Sequence, residues 1–382
     1  MPVTTVYFIS ETAPVNTHAS SVVFYRHLKK LSEDGYRVVW ITDNNSYQAA
    51  KGNVEQWESI VLPNRQWHLP PYRGKGLAQL YRFNYYYRNY LKQHIQKDNA
   101  ILITHISGQF LAPFSAFVHR RTNLPLVSFF HDDILELNFH KNAKTLIQNT
   151  QKVLEASSIV LTVSKAFENN WPQYASKFRI LYPVPHPHKV SGKPKTASKA
   201  ITVGYSGAIY DETLPYFKQV LQNLKGADFK LVIIGDRKKT DFLSDLFPES
   251  LTCIDLFDTP AEASQFLVDN CDAMLIPYPG TIAEMPWIAT CYPSKFIQYC
   301  QLNLPTMIIA PTSSAIGEWC ITNQWGLYSD SYESNSLHKL LNNISSQTII
   351  TQMANLNAGE FKPERIFQEL DDILQSILKQ HN

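Results

Sequence analysis

The fold is decided by the stretch NCDAMLIPYPGTIAEMPWIATCYPSKFIQYCQLNLPTMIIA, which covers residues 270–310. Apolar runs at 273–277 and 306–310 have the length and composition of buried strands. Between them lie a loop containing Pro and Gly and a short helical segment that begins near Lys295. Strand, loop, helix and strand in this order form the unit from which parallel sheets are built.

The start of the predicted helix has the features of an anion site. Ser294 is placed to cap the helix, because its hydroxyl can accept a bond from an orphan backbone N–H group. Lys295 adds a cation in the first turn, and free N–H groups beside a cation favour phosphate. Gln298 lies one turn further on the same face, within reach of a sugar attached to that phosphate. A capped surface helix with a solvated lysine fits the same spacing, which alone does not decide between the two.

The segment Pro-Ser-Lys-Phe-Ile-Gln-Tyr at 293–299, followed by Asn-Leu-Pro and an apolar strand, resembles the nucleotide-sugar signature of GT-B glycosyltransferases. The resemblance implies that Lys295 meets the donor diphosphate. Gln298 stands where the family's usual glutamate holds the nucleotide ribose. Some glucuronosyltransferases of this fold also carry Lys-x-x-Gln after a Glu-Met pair, which residues 284–285 supply. The paired glutamates of glycosyltransferase family 4 are missing, since Thr290 stands eight residues before Gln298.

Composition indicates a globular protein of two domains. The chain has 382 residues, 44% of them hydrophobic, and that length exceeds one ordinary core. The formal net charge of +2 gives no field that favours nucleic acid. Five cysteines without a Cys-x-x-Cys pair are typical of reduced thiols, and the first residues read as a strand rather than a signal peptide. We therefore expect a cytoplasmic protein.

Strand and helix patterns alternate along both halves of the chain, which predicts an α/β fold. The predicted strands lie at 3–9, 37–42, 100–104, 127–130, 156–163, 178–182, 201–205, 229–234, 251–256, 273–277 and 306–310.

The resemblance covers nearly the whole chain. It implies the GT-B architecture, with two Rossmann-like α/β domains facing a central cleft. The predicted acceptor domain covers 1–185, a Pro-, Lys- and Ser-rich linker 186–199, and the nucleotide-sugar donor domain 200–360. An amphipathic stripe then predicts a C-terminal helix within 361–382. The resemblance implies that this helix crosses back to the first domain.

The resemblance places donor contacts at the carboxyl ends of strands in the second domain. Gly207 lets the backbone approach a phosphate closely. Arg237 adds a second cation or is merely solvated, and Glu284 bonds sugar hydroxyls or lies on a loop surface. Phe257 and Tyr278 support a nucleotide base or belong to the core. The predicted donor-binding residues are Gly207, Arg237, Phe257, Tyr278, Glu284, Tyr292, Ser294, Lys295 and Gln298.

Candidate catalytic residues follow a buried strand of the first domain. His131, Asp132 and Asp133 stand at its carboxyl end, where one of them is a candidate general base. Capping of a following helix by Asp133 is the alternative, and both can hold. The resemblance implies that Thr17 and His18, in the loop after the first strand, contact the acceptor, although a histidine on a surface loop fits equally well.

Aromatic and basic side chains alternate through the 65–90 region, which suits a peripheral contact with an anionic membrane surface. The favoured alternative is a long helix at about 77–95. In that helix the arginines are solvated, and the inward side chains are Leu80, Phe83, Tyr87 and Leu91.

The sequence therefore predicts a glycosyltransferase that moves a sugar from a nucleotide diphosphate sugar, with UDP-sugars favoured. The expected acceptor is a hydroxyl on a glycan, lipid-linked saccharide or other glycoconjugate, as in polysaccharide biosynthesis. We expect no cofactor, no essential metal and no nucleic-acid partner, with action in the cytoplasm or at the inner membrane face. A noncatalytic nucleotide-sugar-binding scaffold and a nucleotide-sugar epimerase of the same fold are the alternatives.

Overall fold

The computed structural model describes residues 3–16, 19–54, 57–64, 76–107, 110–136, 143–185 and 200–381. The chain divides into two compact units. The first contains Met1–Val184 and Ile366–Asn382, and the second contains Pro185–Arg365. The predicted linker at 186–199 lies outside the described residues.

The described part of the first unit is built on a parallel sheet of seven strands in the order β3-β2-β1-β4-β5-β6-β7. The central strands are apolar and buried, as strands covered by helices on both faces require. The order reverses between β1 and β4, so the carboxyl ends of these strands form a crevice. The strands are β1 (Thr5–Ile9), β2 (Arg37–Asp43), β3 (Glu58–Leu62), β4 (Ala100–His105), β5 (Leu126–Phe130), β6 (Ile159–Thr162) and β7 (Phe178–Ile180).

In the described residues of this unit, six helices connect these strands. The third continues as a single π-helical segment, Tyr87–Leu91, and the sixth is followed by a 3₁₀ helix, Pro172–Lys177. The helices are α1 (Ala19–Glu33), α2 (Asn44–Ala50), α3 (Leu77–Tyr86), α4 (Leu111–Thr122), α5 (Ala143–Ala156) and α6 (Phe167–Asn170).

The second unit has a parallel sheet of six strands in the order β10-β9-β8-β11-β12-β13. Its order reverses between β8 and β11, which places a second ligand crevice at their carboxyl ends. The strands are β8 (Ile201–Ser206), β9 (Phe229–Ile234), β10 (Leu251–Ile254), β11 (Ala273–Pro277), β12 (Thr306–Ile309) and β13 (Tyr328–Ser329).

Seven α-helices accompany this second sheet, together with 3₁₀ helices at Asp211–Thr213 and Pro286–Ala289. A capping box on Thr259 and Glu262 fixes the start of one of them. The helices are α7 (Leu214–Asn223), α8 (Arg237–Leu246), α9 (Pro260–Asn270), α10 (Ser294–Gln301), α11 (Ala315–Thr322), α12 (Ser334–Asn343) and α13 (Gln347–Ala358).

The last helix, α14 (Pro363–His381), returns to the first unit. Its apolar stripe joins the core that contains Phe24 and Trp40. Tyr36, the residue before β2, donates a hydrogen bond to Asp371 and accepts one from the Gln375 amide at 2.6 Å. The predicted return of the C-terminal helix is therefore confirmed.

The predicted packing of the helix at about 77–95 is partly wrong. Its arginines are not all solvated, because Arg82 is buried and donates to the Asn64 carbonyl at 3.0 Å and to the Tyr86 hydroxyl at 2.6 Å. Leu80, predicted to face inward, is 45% exposed. The π-helical segment begins at Tyr87, and it is Tyr86 that is fully buried, against Phe110 and Phe114. Among the described residues, no helix has the length and apolar character needed to cross a bilayer.

Candidate functional site

The start of α10 is open. The residue before its first turn is Pro293, with φ −70° and ψ 107°, and no side chain in the described part of the protein caps the helix. The prediction that Ser294 caps the helix is wrong, because Ser294 is the first helical residue and is exposed. The proline ring presets φ near the observed value and supplies no capping oxygen. The first N–H groups of α10 consequently have no side-chain acceptor and can meet a ligand.

Lys295 lies in the first turn of α10 and is half-buried. Its ammonium is 5.5 Å from the centroid of the Tyr205 ring, a cation–π arrangement. Among the described residues, the ammonium has no hydrogen-bond acceptor and no carboxylate partner. Burial lowers the pKa of Lys295, and nearby Cys291 opposes that shift. An unpaired cation held partly out of water beside an open helix start favours an anion.

Gly207 follows β8 and lies directly against Lys295. Its φ of +125° is a conformation that residues with a side chain rarely adopt. A Cβ at this position would lie 2.6 Å from Cε and 3.2 Å from Nζ of Lys295. The Gly207 N–H donates to the Ile234 carbonyl at 3.0 Å, which fixes the turn. Only glycine therefore allows both the turn and the observed position of the lysine.

Tyr299 joins α10 to the end of β8. Its buried hydroxyl accepts from the Ser206 N–H at 3.0 Å and lies 3.2 Å from the Ser206 carbonyl, to which it donates. These two hydrogen bonds to the backbone of Ser206 hold α10 against the end of β8, and therefore hold Lys295 near Gly207 before any ligand binds. The sequence analysis missed Tyr299, although its position four residues after Lys295 places it on a neighbouring part of the helix surface.

A cavity of about 140 Å³ opens beside Lys295. It lies where β8 and β11 diverge, at the ligand crevice of the second sheet. Four predicted donor-binding residues line it, and aromatic side chains that were not predicted complete its wall. The lining residues are Tyr205, Tyr210, Thr213, Ile276, Pro277, Tyr278, Trp287, Cys291, Tyr292, Pro293, Ser294 and Lys295.

Two tyrosines that were predicted to bind the donor line this cavity and are also buried in the core. The Tyr278 N–H donates to the Ile309 carbonyl at 2.8 Å, and burial raises the pKa of its phenol well above the ordinary value. Tyr292 is buried, and its ring packs near Trp319 and Phe361 at centroid distances of 6.1 and 6.4 Å. Their aromatic faces give the cavity apolar walls around a single ammonium group.

Gln298 and Glu284 lie in the same unit but do not line this cavity. Gln298 is half-buried one turn after Lys295. Glu284 is exposed, and its carboxylate accepts bonds from the Tyr216 hydroxyl and, at 3.0 Å, from the Thr281 hydroxyl. Burial and the bond to Glu284 raise the pKa of Tyr216. The carboxylate of Glu284 is thus already oriented by two hydroxyl donors.

Arg237 and Phe257 also lie outside the lining of the cavity. Arg237 is the first residue of α8, and its Nε lies 3.2 Å from Oδ1 of Asp241 in an exposed ion pair one helical turn apart. Phe257 follows β10 and packs against Phe266 with ring centroids 5.5 Å apart. The structure therefore gives each of them a local partner, and their predicted role toward the donor stays a prediction.

Asp133 is bound by structural donors in the first unit. One of its oxygens accepts from the Leu135 N–H at 3.0 Å. The other accepts from the Asn170 amide and the Trp171 indole, both at 2.9 Å. Burial raises the pKa of Asp133, and these three hydrogen bonds oppose the shift. Asp133 caps the turn at 134–136 and ties the end of β5 to α6.

Asp132 and His131 have different surroundings from Asp133. Asp132 is half-buried, burial raises its pKa, and its carboxylate has no hydrogen-bond or ion-pair partner among the described residues. His131 is buried, stacks on Phe24 with ring centroids 5.4 Å apart, and has its pKa lowered to about 4 by burial. Asp132 is therefore the member of this cluster best suited to accept a proton.

His105, at the end of β4, is a buried residue that the sequence analysis missed. Its Nδ1 lies 3.0 Å from the Thr12 hydroxyl and 2.9 Å from the Ser107 hydroxyl. Its ring centroid is 5.5 Å from that of His131, and burial keeps its pKa well below the ordinary value. The signal was available, because His105 directly follows a predicted strand whose carboxyl end adjoins that of β1.

The predicted acceptor residues Thr17 and His18 lie outside the described residues, as does the 65–75 part of the basic-aromatic region. Within the described ranges, no three His, Cys, Asp or Glu side chains are grouped as ligands for a metal ion.

The fold matches solved structures over nearly the whole chain. Anabaena Alr3699/HepE in complex with UDP is 13% identical, with 98% of this chain and 100% of that chain covered and a TM-score of 0.62. The glycotransferase of kitacinnamycin is 13% identical, with 99% and 100% covered and a TM-score of 0.59. Acinetobacter baumannii MurG is 13% identical, with 98% and 99% covered and a TM-score of 0.55. The chain has the fold of the GT-B glycosyltransferases.

The family comparison adds a second finding for the first unit. The model of Glycosyltransferase Family 4 matches residues 20–183, which extend from α1 past β7. No curated protein matches the sequence. The predicted resemblance to GT-B glycosyltransferases is confirmed.

Proposed function

We propose that the protein is a glycosyltransferase that moves a sugar from a nucleoside diphosphate sugar to an acceptor hydroxyl. The observation that carries the proposal is the ammonium of Lys295, which is held against Gly207 at the open start of α10 and has no partner among the described residues. This arrangement combines a cation with free N–H groups at the crevice of a parallel sheet, where phosphate groups bind in many α/β proteins. The diphosphate of the donor is the anion that fits this position.

In the proposed reaction, the acceptor oxygen bonds to the anomeric carbon of the donor sugar. The bond from that carbon to the diphosphate oxygen breaks, and the nucleoside diphosphate leaves with its electron pair. Lys295 and the N–H groups of α10 stabilise the charge that develops on the leaving diphosphate. The hydroxyl proton passes to a base, for which Asp132 is the candidate if the configuration inverts.

Uridine diphosphate is the proposed leaving group. The solved structures of Anabaena Alr3699/HepE include complexes with UDP and with UDP and glucose, which makes uridine nucleotides the first donors to test here. Gln298, one turn after Lys295, is the proposed ribose contact. Its amide offers one acceptor oxygen and one NH₂ donor, so it grips a ribose less firmly than a carboxylate does. Because Lys295 supplies the positive charge, we expect activity to survive metal chelation.

A noncatalytic nucleotide-sugar-binding protein is the second candidate, and the amide of Gln298 in place of the family's usual carboxylate favours it. A thermal-shift panel of UDP, UDP-glucose, GDP and ADP tests binding, because a ligand of the folded state raises stability with its concentration. We expect the largest shift from the uridine nucleotides, and a larger shift from GDP or ADP would overturn the donor assignment. Release of UDP from UDP-glucose by purified protein distinguishes an enzyme from a scaffold.

A peripheral contact with the inner membrane face is the proposed role of α3. Its side chains Leu77, Leu80 and Tyr81 are 85%, 45% and 55% exposed, and Arg88 and Lys92 are exposed further along. Exposed apolar groups beside cations suit an anionic lipid surface. Co-sedimentation with vesicles containing phosphatidylglycerol tests this contact. Leu77→Ser should release the protein, and unchanged sedimentation of that variant would exclude α3 as the contact.

A further inference from the structure

Helix α8 of the second unit has one buried face and one face that is open to water. Thr240 and Leu243 are buried and mark the inner face, where the helix packs against β10. On the outer face, Phe242 is 49% exposed, and Leu246, one turn later, is 55% exposed. Two large apolar side chains one turn apart form a stripe, and leaving that stripe in water is unfavourable.

Two charged residues with opposite signs lie along this stripe. Lys238 lies one turn before Phe242, and Asp245 follows Lys238 by seven residues, close to two full turns, so all three share the outer face. Both charged residues are exposed. Neither has an ion-pair or hydrogen-bond partner for its side chain among the described residues.

The cations next to Lys238 are already paired. Nε of Arg237 lies 3.2 Å from Oδ1 of Asp241, and Nζ of Lys239 lies 2.7 Å from Oδ1 of Asp211. Within the described residues, Lys238 is therefore the cation of this turn that can pair with a group from outside the chain.

The order of the charges opposes the dipole of the helix. Anions near the start of a helix and cations near its end are favourable. Helix α8 instead begins with Arg-Lys-Lys and has Asp245 in its last turn. A second α8 lying antiparallel would bring its acidic end to the basic start of the first, and its basic start to the acidic end. The unfavourable order of charges would then be compensated in both helices.

An antiparallel pair of α8 helices has a defined register. Phe242 lies almost midway between Lys238 and Asp245 along the chain. A two-fold axis near Phe242 therefore places Lys238 of each copy opposite Asp245 of the other, with the two Phe242 rings together at the axis. Leu246 lies at the margin of this contact. Such a two-fold interface is complementary to itself, because the same surface patch supplies both sides.

The charges of this face also favour a protein over a lipid surface. Anionic lipids attract faces that carry cations throughout. The outer face of α8 carries an anion and a cation in equal number beside its apolar stripe, so its net attraction to such a surface is small.

We propose that the outer face of α8 binds the same face of a second copy of this chain and forms a symmetric, antiparallel dimer. The proposal does not depend on the proposed glycosyltransferase function, because none of the residues of this face lines the cavity beside Lys295. Two single helix faces make a small interface, so we expect a dissociation constant in the micromolar range.

Sedimentation velocity of the full chain across micromolar concentrations tests the proposal. Wild type should pass from monomer to dimer as the concentration rises. Lys238→Asp and Asp245→Lys should each raise the dimer dissociation constant at least tenfold, because each places like charges opposite one another. The two substitutions in one chain reverse both ion pairs and should restore the wild-type dissociation constant to within about threefold.

Phe242→Ser tests the apolar centre of the contact and should also raise the dissociation constant at least tenfold. Ile350→Ser is the matched control, because Ile350 lies on α13 of the same unit and is likewise 49% exposed. It should associate like wild type. If circular dichroism shows that Phe242→Ser is unfolded, the charge-reversal variants decide the proposal.

Three results would overturn the proposal: wild type stays monomeric, the doubly reversed chain associates no better than the singly reversed ones, or Phe242→Ser and Ile350→Ser associate alike. UDP calorimetry on the same samples separates this inference from the proposed function. UDP binding by a chain that stays monomeric contradicts this inference alone, and dimerisation without UDP binding contradicts the proposed function alone.

Discussion

Asp132 and Asp133 are neighbours in sequence with different physical situations. Asp133 accepts three hydrogen bonds from a backbone N–H, an amide and an indole, so its carboxylate is occupied by the fold. Asp132 has no such partner among the described residues, and burial raises its pKa. A desolvated carboxylate without donors is a better proton acceptor than a saturated one, because each donor stabilises the charged form.

We predict that substitution by asparagine affects turnover at Asp132 and stability at Asp133. Asp132→Asn should lower kcat at least tenfold at saturating donor and leave the melting temperature unchanged. Asp133→Asn should destabilise the protein by about 1–3 kcal/mol, because its new NH₂ group can face the Asn170 or Trp171 donor. Steady-state kinetics and urea unfolding measure the two effects. Equal turnover of Asp132→Asn and wild type would place the base elsewhere.

Single residues could be predicted from sequence only where a local pattern constrains them. Lys295 was selected because a lysine in the first turn of a helix favours an anion, and the structure places it at the start of α10 beside the cavity. Its role toward the donor stays a prediction. The capping assignment of Ser294 failed because the cap position was shifted by one residue, onto Pro293. Tyr205 and Trp287, which line the cavity, could not be distinguished from core aromatics, since the periodicity of a strand or loop does not show which ring faces a ligand.

Elements were predicted well where apolar runs are flanked by turn residues. Every predicted strand is present, although the run at 156–163 shortens to Ile159–Thr162 because α5 extends to Ala156. Strand β3 was missed, because its five residues are mostly half-buried at the edge of the sheet and form no continuous apolar run. Its register against β2, from Val39 with Glu58 to Asp43 with Leu62, is a tertiary pairing that local pattern does not reveal.

At the scale of elements, the contact between the β8 turn and α10 gives a sharp prediction. Gly207→Ala places a methyl group 2.6 Å from Cε of Lys295 and should displace the lysine, with at least a tenfold loss of UDP affinity. Gly226→Ala is the matched control, because Gly226 also has a positive φ, +89°, but no atom lies within 4 Å of the added Cβ. Both variants should lose stability through backbone strain, whereas calorimetry should show weaker UDP binding only for the first. If Gly207→Ala and Gly226→Ala bind UDP with equal affinity, Gly207 does not contribute to the UDP site.

At the scale of the whole molecule, the sequence predicted two α/β units but not which residues form the core of each unit. The return of α14 to the first unit was predicted, whereas the individual core residues that its apolar stripe joins became visible only in the structure. The same core holds three buried histidines, His27, His105 and His131, grouped around Phe24 and Phe129. They lie in α1, at the end of β4 and directly after β5, so no sequence spacing brings them together.

These histidines predict that stability falls on acidification. Burial lowers the pKa of His27 to about 3 and that of His131 to about 4, from an ordinary value of 6.5. Above pH 6.5 these histidines are neutral in the folded and in the unfolded protein, so their protonation does not affect the free energy of unfolding. Below it the unfolded chain binds protons that the folded chain does not, so the free energy of unfolding decreases as pH falls toward 4.

His27→Leu isolates one of these contributions. Between pH 7.5 and pH 5, the free energy of unfolding of the variant should fall by about 2 kcal/mol less than that of wild type. The reason is that a histidine whose pKa lies below 4 in the folded protein costs about 1.4 kcal/mol for each pH unit below 6.5. His94→Leu, at an exposed position of the same unit, is the control. Urea unfolding across this pH range measures the difference. Parallel pH profiles for His27→Leu and wild type would show that His27 is not kept neutral by the fold.

Calorimetric titration of UDP into wild type, Lys295→Ala and Lys225→Ala tests the central claim most directly. Lys225 is an exposed lysine of the same unit, just before β9 and therefore at the opposite edge of the sheet. The account predicts that Lys295→Ala weakens UDP binding by about 1–3 kcal/mol, the range of a charge-assisted hydrogen bond, while Lys225→Ala binds like wild type. Wild-type affinity in Lys295→Ala, or no UDP binding by the unmodified protein, would contradict it.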